Sequence, residues 1–122
     1  MGRSVLVVDD HRRFRAEARQ LLEDDGFDVV GEAEDAAGAL REATRLQPDL
    51  VLLDVGLPDG SGLDVVTPLR HVSPGSFVVL VSGRREDEYG DRVARSGADA
   101  FVEKTRLAPG VLGTLLPDGD DR

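Results

Sequence analysis

The chain has 122 residues, one domain's worth, and its 40% hydrophobic content is enough for a single core. Aromatics are 4% with no Trp, so that core must come from Val, Leu and Ala. A net charge of −9 argues against direct nucleic acid binding by this chain, and the absence of cysteine excludes disulfides and Cys-ligated metals. The acidic surplus fits cationic partners or basic surfaces, and equally fits simple solubility.

Val5–Val8 is a run of branched apolar residues and reads as a buried strand. It is too short for a signal peptide's apolar region, and no run approaches the ~20 residues that span a bilayer. A cytoplasmic protein with no membrane contact is expected. From Arg12 to Asp25, Phe14, Ala18, Leu21 and Leu22 fall at helical spacing, and Gly26 stops that helix. A second strand is expected around Asp28–Val30. A second helix runs from Asp35 to Leu46 and is ended by Pro48. Leu50–Leu53 is the third strand, followed by a flexible V-G-L-P-D-G-S-G loop and a helix over Gly62–Arg70. Phe77–Val81 is the fourth strand and Glu86–Ser96 its helix, closed by Gly97. Ala100–Val102 is the fifth strand. Leu107–Leu116 gives a short, frayed fifth helix, because Pro109, Gly110 and Gly113 weaken it, each Gly by about 1 kcal/mol. Residues 1–116 make one domain, and residues 117–122 are expected to be a disordered tail.

Five strand–helix repeats imply an α/β fold, a parallel sheet with helices on both faces. Ligands of such sheets lie beyond the carboxyl ends of the strands. There the sequence puts Asp9 and Asp10, Asp54, Ser82 and Lys104. Two carboxylates about 4 Å apart repel by about 4 kcal/mol at an effective dielectric of 20. Asp9, Asp10 and Asp54 therefore call for a shared proton or a divalent cation. Hard oxygen donors, with no His in place, point to Mg²⁺. Such a site suits phosphoryl transfer, with Asp54 as nucleophile and Ser82 and Lys104 bonding the transferred group. Each residue alone has a plainer role: Asp9 or Asp10 as a helix cap, Asp54 in a turn, Ser82 in a loop, Lys104 in solvent, His11 structural or exposed. The weight lies in their joint position at strand ends.

The blocks V-L-V-V-D-D, L-V-L-L-D-V-G-L-P-D-G-S-G-L, V-V-L-V-S-G and A-D-A-F-V-E-K resemble the receiver domain of bacterial two-component response regulators, over about residues 3–116. V-D-D-H-R-R-F-R and V-V-G-E-A are similar to the branch that usually carries a C-terminal helix-turn-helix output domain. The resemblance implies a flavodoxin-like, doubly wound five-stranded sheet of order 2-1-3-4-5. It implies that Asp54 is the phosphoacceptor. Asp9, Asp10, Asp54 and the backbone carbonyl of Gly56 would then form the Mg²⁺ site, with Lys104 as the phosphate-binding lysine and Ser82 and Phe101 as switch residues. A sensor histidine kinase would be the phosphodonor in a phosphorelay. The reader would be an output partner or a missing DNA-binding domain, so the chain is either a stand-alone receiver or a fragment. The face formed by the fourth helix, fifth strand and fifth helix is implied as a homodimer surface. The chain would not be an enzyme beyond catalysing its own phosphorylation and dephosphorylation. Thr105 departs from the family pattern, standing where a proline with a cis peptide commonly follows the lysine.

Three rival functions remain at this stage. An aspartate-nucleophile phosphatase would carry D-x-D-x-T/V at the first strand end, which D-D-H-R-R does not fit. A receiver-like binding module independent of phosphorylation would not need all five site residues. A flavin carrier would need a hydroxyl-rich phosphate loop.

Overall fold

A computed structural model describes residues 2–116; the expected disordered tail lies outside the described residues. Five parallel strands form one sheet: β1 (Ser4–Val8), β2 (Asp28–Ala33), β3 (Leu50–Asp54), β4 (Phe77–Ser82) and β5 (Ala100–Glu103), in the order β2-β1-β3-β4-β5. The helices are α1 (Arg12–Asp24), α2 (Ala36–Leu46), α3 (Gly62–Val72), α4 (Arg92–Ser96) and α5 (Val111–Leu115).

The strands read as unbroken apolar runs because both faces of the sheet are covered. Successive side chains alternate between two cores. Leu6, Val8, Val51, Leu53, Val78 and Leu80 face Ala39, Ala43, Val66, Leu69 and Val93 of α2, α3 and α4. Val5, Val7, Leu50, Leu52, Val79 and Val81 face Ala18 and Leu22 of α1 and Leu112 of α5. Each fully buried Val or Leu is worth about 1.5–3 kcal/mol relative to exposure. Alanine on α1 and α2 lets those helices lie close to the sheet.

Three expectations need correction. The helix expected over Glu86–Ser96 is broken into a 3-10 turn (Glu86–Tyr89) and the five-residue α4. Gly90 between them has φ 63° and ψ −130°, a conformation outside the helical region and open chiefly to glycine. The loop after Asp54 is not wholly irregular: Gly56–Leu57 pairs antiparallel with Gly60–Ser61. The last helix begins only at Val111, after a 3-10 turn over Lys104–Arg106. No cis peptide bond occurs among the described residues.

The two rims of the sheet differ. At the amino-terminal rim, Asp49 Oδ2 accepts from the Ser4 backbone N–H at 2.8 Å. Asp99 Oδ2 accepts from Arg70 Nη2 at 2.7 Å and from the Val78 N–H at 2.8 Å. These are structural ties. The carboxyl rim gathers the chemistry.

Candidate functional site

Because β1 and β3 are neighbours in register, their ends deliver Asp9 and Asp54 side by side. Asp9 is fully buried and Asp54 is 4% exposed; Asp10 and His11 are exposed. Lys104 reaches in from the turn after β5. Its Nζ lies 2.6 Å from Asp9 Oδ2, 3.6 Å from Asp54 Oδ1 and 4.4 Å above the Phe14 ring. Asp9 Oδ2 makes no directed hydrogen bond despite its short approach to Lys104, so this pairing is one of charge rather than of aligned donor and acceptor.

His11 is exposed, as expected from the sequence, but its ring lies against the acids. His11 is the N-cap of α1 but makes no side-chain capping bond. Its backbone N–H donates to Asp9 Oδ1 at 2.8 Å. Its ring Nδ1 is 2.9 Å from Asp9 Oδ1 and 3.2 Å from Asp10 Oδ1. One donor atom from each of Asp9, Asp10, His11 and Asp54 lies within 4.8 Å of the others.

Burial pushes the Asp54 carboxyl up to about 6, and the Asp9 charge adds to it; Lys104 and a hydrogen bond from the Gly56 N–H oppose the rise. Two buried acids with one lysine leave uncompensated negative charge, and Asp10 adds more at the mouth. The donor set, mostly hard carboxylate oxygens with one buried oxygen lacking a directed bond, fits a small divalent cation.

Ser82 is buried at the end of β4, but its hydroxyl does not turn to the acids. Ser82 Oγ is 2.5 Å from the Tyr89 hydroxyl and accepts from the Arg84 N–H at 3.0 Å. Half-buried Phe101 stands edge-on to Tyr89, with ring centroids 6.0 Å apart. Tyr89 was missed in the sequence; its one visible signal is that it is the only tyrosine. A second missed residue is Asp59, in the turn after Gly56. Its carboxylate accepts from the N–H groups of Ala36 and Ala37 at 2.7 and 3.1 Å, tying this loop to the start of α2. Those two bonds hold the Asp59 carboxyl below the usual carboxylate range.

Known proteins share both sequence and fold with this chain. The response regulator receiver domain family matches residues 5–112. The chain is 39% identical over 101 residues to the response regulator GacA of Pseudomonas viridiflava, covering 82% of this chain and 47% of that protein. It is 36% identical over 104 residues to the transcription regulator BvgA of Bordetella pertussis, covering 85% and 50%. The chain thus spans about half the length of the curated relatives it matches. Among solved structures, the signal receiver domain of NarL from Mycobacterium tuberculosis superposes with a TM-score of 0.81 at 32% identity, covering 93% of this chain and 96% of that one. A LuxR-family two-component response regulator from Aurantimonas superposes with a TM-score of 0.82 at 27% identity, covering 93% and 81%. The chain belongs to the response regulator receiver domain family, whose members are phosphorylation-controlled switches.

Proposed function

We propose that residues 1–116 form a receiver that accepts a phosphoryl group on Asp54 from a sensor histidine kinase. One observation carries this reading: Asp54 is a buried, strained carboxylate on a central strand, flanked by Lys104 and by the acids at the end of β1. An Asp54 oxygen attacks the donor's phosphorus, forming an O–P bond as the donor's own bond to phosphorus breaks and leaves its electron pair on the donor. Asp9, Asp10, Asp54 and the Gly56 carbonyl would hold Mg²⁺. When bound, that ion neutralises phosphoryl oxygens and aligns the attack. Lys104 turns its charge from Asp9 to the new phosphoryl oxygens. Ser82 leaves Tyr89 to donate to another, and Phe101 shifts into the space released.

The readout would be the face of α4, β5 and α5; between β5 and α5, Phe101, Val102, Ala108, Val111 and Leu115 line an open groove edged by Glu86 and Arg106. Its reader is an output partner, a second copy or a DNA-binding domain. Driving the switch from 1:99 to 99:1 takes about 5.5 kcal/mol of differential stabilisation. No helix among the described residues is long and apolar enough to cross a membrane.

The test is incubation with Mg²⁺ and a small phosphodonor, followed by intact-mass measurement. One phosphoryl group should be gained and then lost spontaneously, and Asp54→Asn should gain none. Equal labelling of the Asn variant would reassign the acceptor, and turnover of a phosphomonoester would favour the phosphatase instead.

A further inference from the structure

We propose that His11 is a fourth ligand of the acidic pocket, making it a mixed nitrogen–oxygen site that prefers borderline first-row dications (Mn²⁺, Co²⁺, Ni²⁺, Zn²⁺) over Mg²⁺. The inference rests on the reading of this pocket as the cation site and is independent of phosphorylation at Asp54.

The spacing carries it. A small six-coordinate dication with bonds of about 2.1 Å sets adjacent donors about 3 Å apart. His11 Nδ1 stands 2.9 Å from Asp9 Oδ1 and 3.2 Å from Asp10 Oδ1, the separations of neighbouring corners of such an octahedron. The Asp54 oxygen completes a group of four donors within 4.8 Å. A second observation points to a ligand: Asp9 is fully buried, and its Oδ2, held by the charge of Lys104 at 2.6 Å, receives no directed hydrogen bond.

The imidazole can also exchange its contact with Asp9 Oδ1 for a metal. Its side chain is 66% exposed, so rotation costs no burial, and it caps nothing in α1. If Nδ1 gives its lone pair to a metal, Asp9 Oδ1 still keeps the hydrogen bond from the His11 backbone N–H. Imidazole nitrogen suits Zn, Cu, Fe and Ni, whereas Mg²⁺ is served by oxygens. Carboxylates alone already favour the later metals, so the part due to His11 must be read by removing it.

The experiment titrates the 122-residue chain separately with Mg²⁺ and Ni²⁺ by calorimetry, in wild type, His11→Ala and His11→Asn. The Asn amide can keep a hydrogen bond to Asp9 but offers no imidazole nitrogen. Both variants should lose about tenfold or more in Ni²⁺ affinity while Mg²⁺ affinity changes by less than about threefold. Pulsed electron paramagnetic resonance with Mn²⁺ should show a nitrogen hyperfine coupling in wild type that His11→Asn lacks. Retention of Ni²⁺ affinity by the Asn variant would mean the contact is only a hydrogen bond and would overturn the proposal. A wild type that binds Mg²⁺ without any nitrogen coupling to Mn²⁺ would sink the histidine ligand alone. A wild type that binds no cation would sink the pocket reading with it.

Discussion

Asp54 works against the fold until something positive arrives. Its carboxyl is pushed up to about 6 in the folded protein by burial and by Asp9, against the ordinary 3.8 of the unfolded chain. Between those two values the unfolded chain sheds a proton that the folded one keeps. Stability therefore falls as pH rises from about 4 to 6 and stays lower above that. In magnesium-free buffer, Asp54→Asn should remove this slope. It should raise stability at pH 7 by about 1–2 kcal/mol, after allowance for screening, with no gain below pH 4. Urea unfolding across that pH range checks it; a parallel offset at every pH would assign the effect to packing. At this scale the sequence was legible where chemistry depends on which strand ends in which residue. Asp9 and Asp54 meet because β1 and β3 are neighbours in a parallel sheet, and Lys104 reaches them along the same rim from the turn after β5. It was not legible where chemistry depends on a side chain's aim. The extended backbone of His11, φ −92° and ψ 110°, turns its ring back onto Asp9 and Asp10, and no spacing encodes that.

Between β3 and α3 the chain doubles back so closely that a Cβ on Gly62 would lie 2.1 Å from the carbonyl oxygen of Asp54. Gly62→Ala should cost about 1–3 kcal/mol by overpacking. Because the clash falls on the backbone of the proposed acceptor, phosphoryl uptake should fall more than stability does, as mass spectrometry and thermal melts on one sample would show. The broken segment between β4 and α4 carries a second dependence. Tyr89 sits in a 3-10 turn whose hydroxyl holds Ser82. In the proposed cycle Ser82 must leave Tyr89 for the phosphoryl group. Tyr89→Phe removes only the hydroxyl and should raise the steady-state phosphorylated fraction, by about fivefold in equilibrium constant for a hydrogen bond worth about 1 kcal/mol. An unchanged fraction would show that Tyr89 does not restrain Ser82. The sequence misled here for a local reason. Glu86, Asp87 and Glu88 suit the start of a helix, and only the backbone of Gly90 reveals that this helix does not continue.

At the scale of the molecule the fivefold alternation of apolar runs with helical stretches was enough for the fold class. Two cores on one sheet require helices on both faces, while the order of the strands was implied by the family resemblance alone. What stayed hidden, such as the two-residue pairing of Gly56–Leu57 with Gly60–Ser61, is too short to leave a periodicity. The separation of the rims yields a further prediction. Asp99 ties Arg70 and the Val78 N–H far from the acids. Asp99→Ala should lower stability by about 1–2 kcal/mol by stranding the Val78 N–H, while Arg70 keeps its bonds to the Ser76 and Gly97 carbonyls. Its Mg²⁺ affinity and phosphoryl uptake should match wild type; a parallel loss of both would show that the two ends are coupled. The amino-terminal rim thus offers ground on which robustness can be engineered or eroded without rewriting the signal. A lineage could drift there to suit a hotter or colder habitat while the lettering at the other end of the sheet stayed untouched.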